Sequence, residues 1–291
     1  MQKRIDYILE GRGIDVSPEV KVSEPLEHKD FRFINPFVVF RHFGSELVDP
    51  ATEFRIDPQP YRGFAQLSFQ IEGETFHKNS LGIDSICVGG DVQMMFAGRG
   101  VVHSEGPTRE LCENGGRQEI VQIWVNVPAE CKWDDPYYQK FSPRKQPILF
   151  DQSGVTMRLA IGTYEGCTGP IETYTPMIGM LGEMEVGKRI QLSAKPGWWT
   201  MIYVIAGTIN VCFETIKECN LVVFEKSNDE IIVTAEDDGA HILYLSGEPL
   251  DEPVFVKDNF VMASAVEVEQ AIEDARNGKF GRLDKHDDKD D

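Results

Sequence analysis

Short apolar runs separated by glycine turns fill the chain from residue 54 to residue 127, and this pattern constrains the fold most. Residues 63–71 alternate polar and apolar side chains with the period of two that is typical of a β-strand. Glu72-Gly73-Glu74 follows and predicts a hairpin turn. Further strands are predicted at 85–88 and 120–127. Many short strands with glycine turns and without helical periodicity predict an antiparallel barrel or sandwich.

The second half of the chain repeats this pattern weakly. Residues 201–211 comprise an apolar run, Gly207 and a second apolar run, so Gly207 is predicted to make the turn that Gly73 makes in the first half. Two similar β-barrels in one chain are the simplest account of such a repeat. The remaining strands of the second half are predicted at 221–224, 229–233 and 241–247.

Composition sets the expected domain boundaries. Polar residues at the start predict an extended arm or a single strand near Val20-Lys21-Val22, and a segment rich in proline and aromatic residues predicts a linker between the barrels. A charged C-terminal tail without apolar anchors predicts disorder. The expected order is an arm (1–32), a first barrel (33–130), a linker (131–150), a second barrel with a terminal helix (151–282) and a disordered tail (283–291).

One amphipathic helix is predicted near the C-terminus. Ser264 and Glu267 form a capping box, and Asn277-Gly278 predicts where the helix ends. We expect this helix to pack on the outside of a barrel. Its apolar stripe follows the spacing i, i+3, i+4, i+7 and consists of Val268, Ala271, Ile272 and Ala275.

Charge and cysteine content exclude several classes of protein. The formal net charge is −19 and no cluster of Lys and Arg occurs, which argues against direct binding to a nucleic-acid backbone. No apolar run is long enough to span a bilayer, and the first residues do not resemble a signal peptide. The six cysteines contain no C-x-x-C pair and are expected to be free thiols, so we expect a cytoplasmic protein.

The segment 89–105 contains the strongest candidate for a metal site. His103 and Glu105 are two residues apart on a predicted strand, so their side chains point to the same face. A small barrel with open ends commonly holds a ligand or a metal inside. Gln59 and Tyr61 are also two apart, on a hairpin predicted to lie opposite, and they share a face of their own.

Several motifs, taken in order, resemble the pirin family of the cupin superfamily. The resemblance covers residues 33–282, and its most specific part is Gly98-Arg99-Gly100-Val101-Val102-His103-Ser104-Glu105. It implies an all-β bicupin fold, in which two antiparallel β-barrels of the jelly-roll type pack together and a short C-terminal α-helix follows. The other motifs are Asn35-Pro36-Phe37, His42-Phe43-Gly44, Pro60-Tyr61-Arg62-Gly63-Phe64, Trp124-Val125-Asn126-Val127-Pro128-Ala129, Lys195-Pro196-Gly197-Trp198, Gly247-Glu248-Pro249-Leu250 and Phe260-Val261-Met262.

The resemblance also implies what the site should contain. In the family, the N-terminal barrel holds one iron-class ion through three histidines and one glutamate. His103 and Glu105 match two of these ligands, whereas Gln59 and Tyr61 stand where the other two histidines would be. Ala65 stands where the family has a further glutamate after Arg-Gly-Phe. The chain is therefore a divergent member by resemblance.

Two interpretations of this cavity stay open. In the first, no cofactor is tightly bound, and the cavity is a polar cluster in which Tyr61 donates to Glu105 and Gln59 satisfies His103. In the second, an unusual ligand set holds iron or another divalent metal, although two family ligands alone do not make a tight site. His77 matches a family histidine that is not a ligand there.

The sequence also predicts the surroundings of the cavity. Arg62 and Arg99 are expected at its border, where they either hold the rim together or face an anionic ligand. In the second barrel, Trp198-Trp199-Thr200 stands where a histidine pair would be expected, and no metal is predicted there. His42 and His241 are expected to be ordinary hydrogen-bonded histidines. The predicted pocket residues are Gln59, Tyr61, Arg62, Ala65 and Arg99.

Three functions are compatible with these features, and none of them has assigned catalytic residues. The first is a pirin-like binding or regulatory module with a degenerate metal site and a small-molecule or protein partner. The second is a metal-dependent dioxygenase of the quercetinase type that uses an unusual ligand set. The third is a cupin that binds a small organic molecule without a metal.

Overall fold

A computed structural model describes residues 3–17, 20–26, 34–50, 56–227 and 229–283, and most of these residues lie in β-strands. Neither helix within these ranges is long or apolar enough to cross a membrane. The strands are β1 (Ile5–Glu10), β2 (Arg12–Ser17), β3 (Val20–Leu26), β4 (Phe37–Val48), β5 (Ile56–Tyr61), β6 (Phe64–Glu72), β7 (Glu74–Asn79), β8 (Asp84–Val88), β9 (Val92–Phe96), β10 (Val101–Pro107), β11 (Gly116–Asn126), β12 (Tyr137–Phe141), β13 (Ile148–Gln152), β14 (Val155–Ile161), β15 (Thr163–Tyr164), β16 (Cys167–Thr168), β17 (Met177–Met184), β18 (Arg189–Leu192), β19 (Trp199–Val211), β20 (Glu214–Lys217), β21 (Asn220–Phe224), β22 (Ile231–Gly247), β23 (Phe255–Lys257) and β24 (Phe260–Met262), and the helices are α1 (Arg109–Asn114) and α2 (Ala265–Arg276).

The all-β prediction is confirmed, together with most of the predicted strands. The runs at 63–71, 85–88 and 120–127 correspond to β6, β8 and β11. Gly73 lies between β6 and β7 with φ at 74°, a value that glycine adopts without strain, but the two strands belong to different sheets and do not pair, so the predicted hairpin turn is wrong and Gly73 makes a bend between sheets. The predicted tail lies, from residue 284 onward, outside the described residues.

Gly207 differs from its prediction, because it lies inside a strand and does not make a turn. β19 continues through Gly207, and its register against β22 shifts at this point, which marks a β-bulge. Gly207 has φ at 77°, and a β-carbon there would lie 2.2 Å from the carbonyl oxygen of Gly239. Only glycine fits such a close approach, so the residue was correctly singled out but given the wrong role.

Contacts group the chain into two units, each assembled from two separate segments. The nine-stranded unit comprises Met1–His42 and Phe141–Pro249, and the two-sheet unit comprises Phe43–Lys140 and Leu250–Asp291. β1, from the predicted arm, pairs with β21, and α2 packs on β24 in the two-sheet unit. Segment 131–150, expected as a linker, contains β12 and the start of β13. The units differ from the linear boundaries because composition does not reveal which distant strands pair.

The nine-stranded unit is built on one antiparallel sheet. Its strand order is β1-β21-β19-β22-β17-β14-β13, with β18 paired to β22 and β20 paired to β19. Its core is aliphatic and includes the fully buried side chains of Met157, Leu159, Ile202, Val204 and Ile242.

The two-sheet unit places polar side chains in its interior. One of its sheets has the order β5-β10-β7-β8, and the other contains β12-β9-β6-β11-β4. β6 is buried on both faces, so its alternation does not separate a core face from a solvent face. Gln66, Ser68 and Gln70 are each 2% exposed and would need partners in the interior.

Helix α2 confirms the predicted capping box and carries one unexpected buried charge. Ser264 accepts a hydrogen bond from the backbone N–H of Glu267. Asp274 is 6% exposed and pairs with Arg62 at 2.9 Å, which attaches α2 to the residue that follows β5. The hydrogen bond from Lys279, followed by that from Arg62, lowers the pKa of Asp274 to about 2.

Lys132 ties three parts of the two-sheet unit together. Its side chain is 1% exposed, and its Nζ donates to the carbonyl oxygens of Gly63 at 2.7 Å and Val261 at 3.0 Å and to Oδ1 of Asn126. These acceptors lie just before β6, within β24 and at the end of β11. An ammonium has three donors, so all of them are used.

Lys132→Met is expected to lower the free energy of unfolding by about 3 kcal/mol or more, because three buried acceptors lose their donor. Equilibrium unfolding in urea measures this change. Lys140→Met is the matched control, since Lys140 Nζ donates to the carbonyl oxygen of Ile86 at an exposed position, and it should change stability by less than about 0.5 kcal/mol. Equal effects of the two substitutions would contradict the role of Lys132.

Candidate metal centre

Strand β10 carries the predicted pair His103 and Glu105 and lies between β5 and β7. On the β5 side, His103 is opposite Gln59. On the β7 side, His103 is opposite Asn79 and Glu105 is opposite His77. Directly opposed side chains in an antiparallel pair lie on the same face, so the register brings His77 next to the predicted pair.

His77, His103 and Glu105 form a cluster that could hold a metal ion. One donor atom from each residue lies within 4.8 Å of the others. His77 is 1% exposed, His103 is fully buried and Glu105 is 6% exposed. The centroids of the two imidazole rings are 5.4 Å apart. The structure thus joins a third residue to the two that the sequence selected.

Two amides from the facing sheet hold the carboxylate of Glu105. Gln122 on β11 donates from Nε2 to Oε1 of Glu105 at 2.7 Å, and Gln66 on β6 donates from Nε2 to Oε2 at 3.2 Å. A buried carboxylate needs such donors to offset the loss of hydration. Each carboxylate oxygen has a second lone pair, so both amide bonds are compatible with a further cation.

Several polar atoms of this interior have no protein partner in the described part of the chain. They include both ring nitrogens of His103 and Nδ1 of His77. Oε1 of Gln66 and Oγ of Ser68 share this property. Since buried polar atoms are almost always paired, such a group of atoms around one carboxylate indicates a site for a bound ion or polar ligand.

Both histidines of the cluster are neutral at pH 7. Burial lowers the pKa of His77 to about 4, against an opposing effect of Asp84. Burial, followed by the neighbouring His77, lowers the pKa of His103 well below its ordinary value. A neutral imidazole keeps one lone pair, which is the form that binds metals.

Asn79 determines which nitrogen of His77 carries the proton. Oδ1 of Asn79 accepts from the backbone N–H groups of Leu81 at 3.0 Å and Ile83 at 3.3 Å, so the NH₂ end of the amide lies 3.1 Å from Nε2 of His77. An amide NH₂ only donates, so Nε2 accepts and the proton lies on Nδ1.

Aromatic rings enclose the cluster. The ring of Tyr61 is 4.4 Å from that of His103, centroid to centroid, and also packs against Trp124. The ring of Tyr138 stacks on His77 at 4.6 Å with an interplanar angle of 19°. Its hydroxyl donates to Oε1 of Gln93 at 2.7 Å, which fixes the stacked ring.

Two other predicted pocket residues, Gln59 and Ala65, do not belong to the cluster of His77, His103 and Glu105. Gln59 accepts at Oε1 from Nδ2 of Asn259 at 2.8 Å and leaves both His103 nitrogens unpartnered, so the predicted Gln59–His103 hydrogen bond is wrong. Ala65 is buried on the face of β6 opposite to Gln66, as strand alternation requires.

The two arginines are structural in this arrangement. Arg62 is buried, pairs with Asp274 and lies over the ring of Phe280 at 4.4 Å, so it attaches α2 and is not available to an anionic ligand. Arg99 pairs with Asp135 at the exposed surface at 2.9 Å. Of the two alternatives for this pair, the structural one is supported.

Sequence reasoning missed three residues of the centre. His77 was set aside because the family pattern does not use it as a ligand, and Gln66 and Gln122 were not selected at all. Gln66 could have been selected from the sequence, because it belongs to the polar face of a strand that lies between other buried strands. The contact of His77 with Glu105 depends on the β7–β10 register, which the sequence does not display.

Comparison with known proteins identifies the family. A family model described as pirin matches residues 19–125, and one described as the pirin C-terminal cupin domain matches residues 180–281. A pirin-like protein of Caulobacter vibrioides is 30% identical over 286 residues, which cover 94% of this chain and 97% of that relative. The chain belongs to the pirin family.

Other proteins that are similar to this pirin are named as enzymes. A Pseudomonas aeruginosa protein named "putative quercetin 2,3-dioxygenase" is 34% identical over 252 residues, which cover 86% of this chain and 87% of that protein. The crystal structure of a quercetin 2,3-dioxygenase from Acinetobacter baumannii matches with a TM-score of 0.91 at 28% identity, and the match covers 97% of this chain and 99% of that one. The predicted bicupin fold is confirmed.

Acidification is expected to destabilise the metal-free pirin through its two buried histidines. In the unfolded chain both take up protons below a pKa of about 6.5, whereas in the folded chain His77 does so only near pH 4. The unfolded state therefore binds more protons between these values, and stability falls as the pH falls. The expected loss from pH 7 to pH 5 is about 2 kcal/mol for His77, and His103 contributes a loss of the same sign.

Urea unfolding at several pH values, in the presence of a chelator, measures this loss. His103→Gln should reduce the loss between pH 7 and pH 5, because it removes one of the two groups. His241→Gln, on β22, serves as the control for the replacement of a histidine outside the cluster. An unchanged pH dependence in His103→Gln would contradict the assignment.

Proposed function

We propose that this pirin binds a divalent metal ion of the iron class through His77, His103 and Glu105, and that it acts as a binding or regulatory module rather than as an efficient enzyme. The observation that supports this most directly is the pair of unpartnered ring nitrogens on His103, next to a second neutral imidazole and a carboxylate. Two histidines and one carboxylate are a donor set typical of non-haem iron. His77 would replace the ligands that are absent at Gln59 and Tyr61.

The three donor atoms can bind one ion only after they move closer together. Three donors that bind one face of an ion with bonds of roughly 2.1 Å lie about 3.0 to 3.6 Å from one another. The donors of the cluster lie within 4.8 Å, so the widest pair closes by roughly 1 to 2 Å when the ion binds. When bound, the metal would supply Lewis-acid and redox chemistry at this position.

Neighbouring side chains position the carboxylate and one imidazole. The amides of Gln66 and Gln122 orient Glu105, and stacking on Tyr138 holds the ring of His77. Partners behind the ligands commonly tune metal affinity by factors of about 10 to 100. The centre is therefore organised before any ion enters.

Asn79 works against tight binding. Its amide occupies Nε2 of His77 and places the proton on Nδ1, so neither nitrogen offers a free lone pair. Binding at Nε2 displaces the amide, and binding at Nδ1 turns Nε2 into a donor that faces another donor. Either route costs a buried hydrogen bond, which favours reversible occupancy and suits a regulatory module.

Composition favours a class of partner and a cellular compartment for this module. The net charge of −19 favours a small-molecule or protein partner over nucleic acid. The six free cysteines favour the cytoplasm, where thiols stay reduced.

A dioxygenase of the quercetinase type is the second candidate. The donor set favours it, as do the names of the Pseudomonas and Acinetobacter proteins. The packing disfavours it, because Tyr61 is 4% exposed and its ring lies against the fully buried His103. A flavonol would have to displace this ring to reach the donors.

Metal titration of the chelator-treated protein tests the centre. With Mn²⁺ as a redox-stable probe, calorimetry should give one equivalent for the wild type and at least about 100-fold weaker binding for His77→Ala and His103→Ala, since each loses a ligand. Tyr61→Phe is the control and should bind like the wild type. Wild-type affinity in His77→Ala, or no binding in the wild type, would contradict the proposal.

The same samples decide between the two candidates. Loaded anaerobically with Fe²⁺ and then exposed to air with quercetin, the wild type should consume the flavonol no faster than His103→Ala. Turnover that requires His103 would replace the regulatory proposal with the dioxygenase.

Asn79→Asp is expected to strengthen Mn²⁺ binding by about 10-fold. A carboxylate can accept a hydrogen bond from a protonated Nε2 of His77, which leaves the lone pair of Nδ1 free to bind the ion. Its second oxygen can still accept the hydrogen bonds from the backbone N–H groups of Leu81 and Ile83. Asn259→Asp, which alters the amide that contacts Gln59, is the matched control and should leave affinity unchanged. Weaker binding by Asn79→Asp would show that His77 does not act as a ligand.

A further inference from the structure

A second cluster of reactive side chains lies in the nine-stranded unit, remote in sequence from the metal ligands. Sγ of Cys219 is 4.0 Å from Nδ1 of His42, and the hydroxyl of Tyr203 is 2.9 Å from the same nitrogen. His42 is 3% exposed and Tyr203 is fully buried, whereas Cys219 is half-buried. A thiol beside an imidazole is the arrangement that activates cysteine as a nucleophile.

The groups around Cys219 favour its thiolate. The hydrogen bond with His42 lowers the pKa of Cys219 most, the hydroxyls of Tyr203 and Ser23 act in the same direction, and burial opposes them. Other thiols of the chain behave in the opposite way. Burial raises the pKa of Cys87 to about 11, and burial with nearby carboxylates raises that of Cys131.

Gly11 packs closely against Cys219 and also borders a cavity. The backbone N–H of Gly11 donates to the carbonyl oxygen of Cys219 at 2.9 Å. A β-carbon on Gly11 would lie 3.2 Å from Cβ of Cys219 and 2.0 Å from Oγ of Ser23, so only glycine fits at this close contact. Gly11 also lines a cavity of about 320 Å³ together with Glu10 and Glu24.

We propose that Cys219 is a modification site, a nucleophilic thiol that small peroxides oxidise to a sulfenic acid with His42 acting as its base. It is independent of the metal centre, because its groups belong to Met1–His42 and Phe141–Pro249. Cys219 is a free thiol, and oxidation to a sulfenic acid requires a cysteine that is not in a disulfide.

The reaction balances with the peroxide as the only co-reactant. His42 takes the thiol proton, and the thiolate sulfur of Cys219 attacks one peroxide oxygen. The S–O bond forms as the O–O bond breaks, and the leaving hydroxide takes the proton from His42 to give water. Sulfur is oxidised by two electrons and the peroxide is reduced by two, with a sulfenic acid and water as products.

Alkylation rates in the folded and unfolded states of the wild-type protein test the activation. Iodoacetamide labelling at pH 7, followed by peptide mass spectrometry, should modify Cys219 about threefold to tenfold faster in the folded protein than in guanidinium chloride. Cys131 is the internal control and should react more slowly when folded. A folded-state rate for Cys219 equal to or below its unfolded-state rate would overturn the proposal.

Peroxide treatment with dimedone present tests the modification itself. A sulfenic-acid adduct is expected on Cys219 and not on Cys131, and Cys219→Ser should abolish it. His42→Gln should slow adduct formation at Cys219 to the level of an ordinary thiol, and Tyr203→Phe, which removes only a hydroxyl, should slow it less. Equal labelling of Cys219 and Cys131, or a folded His42→Gln protein that reacts at the wild-type rate, would overturn the proposal.

Discussion

The candidate centre depends on one constraint, the antiparallel register between β7 and β10. This register sets Glu105 opposite His77 and His103 opposite Asn79. It therefore supplies the third donor, His77, and also the amide of Asn79, which competes with a metal ion for that donor. A shift of β7 by one residue would turn His77 and Asn79 to the face of the sheet opposite to His103 and Glu105. The sheet continues on both sides of this pair, through β8 beside β7 and through β5 beside β10.

The interior of the two-sheet unit resembles a polar network more than an aliphatic core. Gln66 and Gln122 reach from one sheet to Glu105 on the other, and Tyr138 connects His77 with Gln93. Hydrogen bonds in such a low-dielectric interior orient their members strongly, but they leave little freedom to adjust. This explains why a single amide can decide how well His77 binds a metal.

Much of the fold was predictable from the sequence, because period-two patterning and glycine turns are local signals. The α2 capping box belongs to this class. Gly207 was misassigned because a bulge and a turn make the same conformational demand on glycine. Of the centre, only His103 and Glu105 were predictable from the residues and the family resemblance. His77 and the amide partners of Glu105 come from other strands, and long-range register has no local signature in one sequence.

The interleaved arrangement of the two units also limits the order in which the chain can fold. β1 precedes its partner β21 by about 200 residues, so β1 must wait unpaired while these residues are synthesised. The two-sheet unit must likewise wait for α2, whose Asp274 neutralises the buried Arg62. Both units therefore join segments that lie far apart in the sequence, and contacts of such long sequence separation predict slow folding. Nascent chains of this protein should therefore expose unpaired strands for longer than a protein with two sequential domains.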